Sequence, residues 1–345
     1  MRGAASSGKL PDTVRLPQSP GMLALLIAIL LIAGGLVILA VGGDVLIRGA
    51  VSIAKLAGLT TAVIGLTVVA LGTSLPELVV SLLAAVQGQP DISVGNVLGS
   101  NIFNIVVILG VAAVVAPIPV HSTAVKIEWP VMVVVSALAI VVMRDGVIDR
   151  LEGAVFVLGL AAFVAFSVWL ARREVKSAEL RAVVEGVEVA TAVTGTKGII
   201  RSAALVLTGI AALIVGGKLL VDGAVQLARL AGITERVIGL TIVAAGTSAP
   251  ELAASVAAAR RKHADIAVAN LLGSNIFNIL GILGTTAVAT SVPINPEILR
   301  TDVWWTLGAA AGIYPLMRVG RDITRVDGTI LLTAYAVYLG LLIWG

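Results

Sequence analysis

Apolar runs of about 20 residues follow one another along the chain, separated by short polar segments, and each is long enough to cross a bilayer as a helix. Their pattern predicts helical spans near 22–42, 50–84, 92–116, 127–143 and 151–171, then near 197–216, 224–259, 266–290, 301–318 and 327–344. The second span of each set is longer than one plain crossing needs, which predicts a bend or a part lying along the interface. The predicted class is an all-α polytopic membrane protein.

The two sets of five are copies. A shift of 174 residues lays GGDVLIRGAVSIAKLAGLTTAVIGLTVVALGTSLPEL, from Gly42, over GGKLLVDGAVQLARLAGITERVIGLTIVAAGTSAPEL, from Gly216. The same shift lays DISVGNVLGSNIFNI, from Asp91, over DIAVANLLGSNIFNI, from Asp265, and roughly 40 of the 69 positions from 42 to 110 are identical. An odd number of spans per copy makes the copies enter the membrane from opposite sides, giving ten transmembrane helices as two inverted five-helix repeats. The expected divisions are a tail at 1–20, a first repeat at 21–171, a cytoplasmic linker at 172–196 and a second repeat at 197–345. With both termini outside a cell (inner) membrane, inner segments hold about 15 Lys and Arg against about 9 outside, the positive-inside bias.

Composition sharpens this picture. Charged residues make up 13% of the chain, mean hydropathy is +1.06, and both values exclude a soluble domain. A net charge of +4 could suggest a nucleic-acid partner, but the basic residues cluster in short inter-helix segments such as Arg172, Arg173 and Lys176. With no cysteine there are no disulfides and no thiolate metal sites. No nucleotide-binding loop is present, so ATP-driven transport has no support, and no cofactor or enzymatic chemistry is expected.

Within the spans, charge is almost confined to Glu77 and Glu251, each one residue after a proline. An ionised side chain near the bilayer centre costs about 2.5–3.5 kcal/mol on insertion scales. No Lys or Arg lies within a helical turn of either, so the expected partner is a cation from solution. Pro76 has no N–H for the carbonyl of Gly72, and Pro250 has none for that of Gly246. The breaks expose backbone oxygen beside the hydroxyls of Thr73, Ser74, Thr247 and Ser248. Asn96, Ser100 and Asn104 recur every four residues on one helix face, and Asn270, Ser274 and Asn278 repeat them. Gly95, Gly99 and Gly273 allow a close neighbour. The whole is an all-oxygen set of formal charge −2, suited to a hard cation such as Ca²⁺.

Each signal has a bland reading. A Pro and a Ser inside a membrane helix usually make a packing kink, a lone Glu can be protonated and hydrogen-bonded, and small-residue runs usually mean close helix contact. Duplication in two copies is what favours a shared site. Elsewhere the bland readings hold: His121 and His263 as loop histidines, the five tryptophans as a mostly interfacial belt, and Asp91 and Asp265 as helix N-caps. Asp44 with Arg48, and Lys218 with Asp222, read as an i,i+4 pair in each copy.

These residues resemble the cation/Ca²⁺ exchanger superfamily, and within it the Na⁺/Ca²⁺ exchanger branch. The resemblance rests on the paired motifs GTSLPE…GNVLGSNIFN and GTSAPE…ANLLGSNIFN and covers the whole membrane portion. The proton-coupled branch has a GN–E signature where GTS–PE stands here. The resemblance implies ion ligands at Thr73, Ser74, Glu77, Ser100, Asn104, Thr247, Ser248, Glu251, Ser274 and Asn278. It also implies antiport of Na⁺ against Ca²⁺ by alternating access, with the first and sixth spans sliding against the other eight; H⁺ or K⁺ is the alternative counter-ion. Two departures stand out: Ala269 where the first copy has Gly95, and Asn278 where some microbial members have an Asp. A channel or a non-transporting scaffold fits less well, the first for want of a pore-loop signature and the second because it leaves two buried carboxylates unexplained.

Overall fold

The computed structural model describes residues 21–56, 70–120, 124–174, 196–260, 264–319 and 322–344. They are almost wholly helical. The first half contains α1 (Met22–Leu56), α2 (Ala70–Thr73), α3 (Leu75–Val86), α4 (Pro90–Ile102), α5 (Leu109–Val115), α6 (Trp129–Val142) and α7 (Arg150–Glu174). The second contains α8 (Thr196–Ala231), α9 (Glu235–Ile238), α10 (Ala244–Thr247), α11 (Ala249–Arg260), α12 (Ala264–Phe277), α13 (Gly284–Ala289), α14 (Val303–Val319) and α15 (Arg325–Trp344). Among the described residues, seven helices are long and apolar enough to cross a membrane, or eight if the bent pair Glu235–Thr247 and Ala249–Val256 forms one span. The protein is therefore a multi-pass membrane protein.

The sequence pattern placed a break between the first and second spans of each copy, and the structure removes it. α1 runs unbroken for 35 residues through Gly42 and Gly43, and α8 runs for 36 through Gly216 and Gly217. The extra length thus belongs to the first span of each copy. Glycine inside a helix costs about 1 kcal/mol relative to alanine, but here it removes side chains from a seam between the two helices. Gly35, Gly42 and Gly49 on α1 pack against α8, and Gly209, Gly216 and Gly223 on α8 pack against α1, both sets at intervals of seven residues. A Cβ at Gly35 would lie 2.7 Å from the Leu220 nitrogen, and one at Gly209 would lie 2.6 Å from the Leu46 nitrogen. The backbones touch, and dispersion between them replaces the missing side chains. The i,i+4 pairs form as the sequence predicts: Arg48–Asp44 at 2.7 Å and Lys218–Asp222 at 3.2 Å.

The apolar interior divides in two. One cluster joins α1, α8 and α3 with residues 238–243. A larger one joins α4–α7 with α11–α15. Four two-residue strands tie the larger part together: β1 (Ile118–Pro119), β2 (Val147–Ile148), β3 (Val292–Pro293) and β4 (Asp322–Ile323). β1 pairs antiparallel with β4 and β2 with β3, so both ladders join the first half of the chain to the second.

Two details depart from the sequence reading. The N-cap of α4 is Gln89, so Asp91 is not a cap; it lies in the first turn, where Asn295 Nδ2 donates to it at 2.8 Å. Trp129 is held between helices, with Nε1 donating to the Ala310 carbonyl at 2.8 Å and the ring stacked on Tyr314 at 4.3 Å, whereas Trp304 and Trp344 are exposed. His121 and His263 lie outside the described residues.

Sequence reasoning also singled out neither member of a buried ion pair. Arg236 Nε donates to Asp302 Oδ2 at 2.7 Å, its Nη1 to Glu297, and its Nη2 to Thr301 Oγ1 at 3.3 Å. These bonds pin the start of α9 to the π-turn at Ile298–Asp302 that leads into α14.

Candidate cation-binding site

Both helix breaks form where the prolines place them. Ser74 separates α2 from α3 at φ −92°, ψ 10°, and Ser248 separates α10 from α11 at φ −82°, ψ 7°. Glu77 and Glu251 consequently occupy the first turns of α3 and α11. Unpaired N–H groups and the helix dipole favour a carboxylate at that position. Across the 235–256 span the break bends the axis by 45°.

The two carboxylates are held across the copies. Ser248 Oγ donates to Glu77 Oε1 at 3.0 Å, and Ser74 Oγ donates to Glu251 Oε1 at 3.4 Å. These bonds are equivalents under the 174-residue shift. Ser74 Oγ also lies 3.5 Å from Ser274 Oγ, which brings the α12 wall to the same place. Thr247 Oγ1 donates to Asn96 Oδ1 at 3.1 Å, while Asn96 Nδ2 donates to Ser81 Oγ at 2.9 Å and to the Glu77 carbonyl at 3.3 Å. Both ends of the Asn96 amide are therefore used in fixing α3 and α10 to α4. Asn96 holds the site and does not face it as a donor of oxygen.

On α4 and α12 the helix widens into π-turns at Phe103–Ile108 and Asn278–Leu283. Such turns are frequent at functional positions. Asn104 lies just inside the first and Asn278 opens the second. The close approach expected of Gly95 and Gly99 is real, since a Cβ at Gly99 would lie 2.5 Å from the Leu240 carbonyl oxygen. The segment that the 174-residue shift would set against Gly273, residues 61–66, lies outside the described residues.

Of the ten predicted ligands, nine are buried and Thr73 is half-buried. Five buried oxygens among them have no hydrogen-bond partner: Glu77 Oε2, Glu251 Oε2, Ser100 Oγ, Asn104 Oδ1 and Asn278 Oδ1. Leaving a buried acceptor unpaired costs about 1–3 kcal/mol, and more for a charged group. Among the described residues, neither carboxylate takes part in a salt bridge such as those of Arg48–Asp44, Lys218–Asp222 and the Arg236 pairs. A set of unpaired oxygens around two carboxylates, with no basic side chain joined to them, has the chemistry of a hard-cation site.

Sequence reasoning missed Asn101 and Asn275, which adjoin Ser100 and Ser274. Asn101 Nδ2 donates to the Asn275 carbonyl at 3.2 Å, and Asn275 Nδ2 donates to the Asn101 carbonyl at 3.1 Å. Their place in both copies of GSN was the available signal.

The family model described as sodium/calcium exchanger protein matches residues 27–169 and 201–344. The chain belongs to that family. Among its relatives, the inner membrane protein YrbG of Escherichia coli is 38% identical over 93% of this chain and 98% of its own length. The sodium/calcium exchanger MaX1 of Methanosarcina acetivorans is 30% identical over 90% of this chain and 97% of its own. The fold matches the sodium-calcium exchanger NCX_Mj, solved after soaking with Na⁺ and Sr²⁺, at a TM-score of 0.59 and 30% identity, over 92% of this chain and 98% of that one. Membership of this family makes the chain a membrane transporter of the cation/Ca²⁺ antiporter class.

Proposed function

We propose that this chain exchanges Na⁺ for Ca²⁺ by alternating access, with both ions using one site built around Glu77 and Glu251. The observation that carries the reading is the group of five buried oxygens without protein partners, two of them on carboxylates. A cation completes them. Ca²⁺ takes six to eight oxygens and tolerates irregular geometry, which suits a set drawn from hydroxyl, amide, carboxylate and freed backbone groups. The ligands we assign are Thr73, Ser74, Glu77, Ser100 and Asn104 from the first copy, with Thr247, Ser248, Glu251, Ser274 and Asn278 from the second. A site of charge −2 emptied of cations is costly to carry through a low-dielectric transition. That cost couples the outward movement of one ion to the inward movement of the other.

The architecture we propose is ten helices in two inverted repeats, the first at 21–171 and the second at 197–345, in a cell membrane with both termini outside. Three observations support it. The hydrogen bonds of the two breaks are equivalents under the 174-residue shift. The same shift carries β1 onto β3, and with one inserted residue carries β2 onto β4, so it exchanges the two ladders. The glycine seam repeats on both its sides. We assign movement to the α1–α8 pair, which would slide past the other helices and open the site to each side in turn.

A second reading, with H⁺ as counter-ion, draws on the fact that each carboxylate already accepts a serine hydroxyl and could hold a proton in its unpaired oxygen. Uptake of radiolabelled Ca²⁺ into proteoliposomes separates the two. An outward Na⁺ gradient should drive it and a pH gradient should not; uptake driven by protons alone, with none driven by Na⁺, overturns the Na⁺ reading.

A further inference from the structure

We propose that Asn101 and Asn275 are positioning residues, which aim the amide oxygens of Asn104 and Asn278 at the transported cation. The inference rests on the cation-site reading given above and concerns how that site is oriented. A primary amide presents either its oxygen or its NH₂ to a neighbour, and rotation by half a turn exchanges them. For a residue that ligates a metal the difference is decisive, because the NH₂ end would point two partly positive hydrogens at the ion.

The structure contains a chain of amides that removes this freedom. Asn275 Nδ2 is engaged by the Asn101 carbonyl at 3.1 Å, so Asn275 Oδ1 can act only as an acceptor toward its other neighbour. That neighbour is Asn104, whose Nδ2 donates to it at 2.9 Å. With its nitrogen so occupied, Asn104 is left with Oδ1 buried and unpartnered. The second copy repeats every link. Asn101 Nδ2 donates to the Asn275 carbonyl at 3.2 Å, Asn278 Nδ2 donates to Asn101 Oδ1 at 2.9 Å, and Asn278 Oδ1 is buried and unpartnered.

The orientation of each ligand is thus set by a backbone carbonyl of its own copy, relayed through one side-chain amide of the other copy. All four side chains are at least 98% buried, so water does not substitute for a missing link. Reversing Asn104 would set its NH₂ free and bring two oxygens together at Asn275. Outer residues that fix a metal ligand typically change affinity or activity 10–100-fold when removed. The arrangement also bears on the absence of an acid at position 278: an ionised Asp there has no hydrogen to donate to Asn101 Oδ1.

The test is the Ca²⁺ dependence of Na⁺-driven exchange in proteoliposomes, with melting temperature of the purified protein as the structural control. Asn275→Ala should raise the KM for Ca²⁺ about tenfold, with the maximal rate within about twofold of wild type. Asn275→Asp keeps an acceptor for Asn104 but loses the donor to the Asn101 carbonyl, and should keep KM within about threefold of wild type. In an Asn104→Ala background, Asn275→Ala should add nothing, because the residue through which it acts is gone. If KM is unchanged in Asn275→Ala, or the two substitutions add fully, the positioning role is wrong. Should Asn275→Ala fail to reach the membrane, Asn275→Asp decides: a tenfold rise in KM there overturns the proposal, and a wild-type KM with a lowered melting temperature upholds it. Glu77→Gln runs in parallel. Normal exchange in that variant removes the cation-site reading itself, whereas lost exchange in it beside an unchanged KM in Asn275→Ala removes only the positioning role.

Discussion

The polar centre and the glycine seam both join matching segments of the two copies, and they do so by opposite means. At the centre, Ser74 and Ser248 reach across to Glu251 and Glu77, and four asparagines are joined by hydrogen bonds from their side-chain amides. Each bond has one geometry, so a shift of an ångström breaks it. Along the seam, α1 and α8 meet through backbone and aliphatic groups. The described side-chain bonds between them are Ser202 Oγ to Ser52 Oγ at 2.7 Å and Gln226 Nε2 to the Ala24 carbonyl at 3.4 Å. Where α1 and α8 meet α3 and residues 238–243, the contact is again an aliphatic cluster. Directional bonds fix where a cation sits, and non-directional ones hold helices together without fixing their register against a neighbour. This division suits the movement proposed for the α1–α8 pair.

Substitutions can separate the two regions. The largest effect is expected at the centre: Glu77→Gln or Glu251→Gln should abolish exchange of radiolabelled Ca²⁺ while the protein stays folded and monodisperse. Full activity in either variant removes that carboxylate from the site. Next comes the ion pair that lies in neither region. Arg236→Met leaves Asp302 buried and unpaired, which should lower stability by about 3–5 kcal/mol, measured as a fall in melting temperature. A centre insulated from that clamp keeps its KM for Ca²⁺ in whatever fraction folds.

On the seam, Gly216→Ala places a Cβ 2.8 Å from the Leu39 nitrogen and 2.9 Å from the Gly35 carbonyl oxygen. The overpacking should cost about 1–3 kcal/mol and again leave the KM for Ca²⁺ unaltered; a changed KM would show that seam and centre are not separable. The smallest effect is a contrast between neighbours. Gly35→Ala meets Leu220 and Gly216 and should destabilise, whereas nothing lies within 4 Å of a Cβ at Gly34. Gly34→Ala should therefore be neutral or stabilising by up to about 1 kcal/mol. Equal melting temperatures for the two would contradict the packing of the seam.

Much of the centre was legible in the sequence because its costs are local. A carboxylate inside an apolar run, a proline beside it and hydroxyls one turn away are all anomalous within a dozen residues, and the second copy marks them as deliberate. The four-residue spacing of Asn96, Ser100 and Asn104 placed them on one face. Asn101 escaped notice because its partner is Asn275, 174 residues away, and a bond between copies leaves no period within either. Arg236 and Asp302 lie within one copy but 66 residues apart, too far for any local pattern, and the other copy gave no help, since the 174-residue shift sets Ala62 against Arg236. The length of α1 was misjudged at Gly42–Gly43, where a pair of glycines before an Asp looks like a helix end. Only contact with α8 explains why the helix continues.

The two short ladders carry one more consequence. β1 with β4, and β2 with β3, each bind a turn of the first half to a turn of the second. Like the seam and the asparagine set, they are interfaces between halves, and none of them needs the peptide link at 175–195. In assembly terms the protein is a heterodimer written on one polypeptide. Separate chains covering 1–185 and 186–345, made together in one cell, should find each other and purify as a complex.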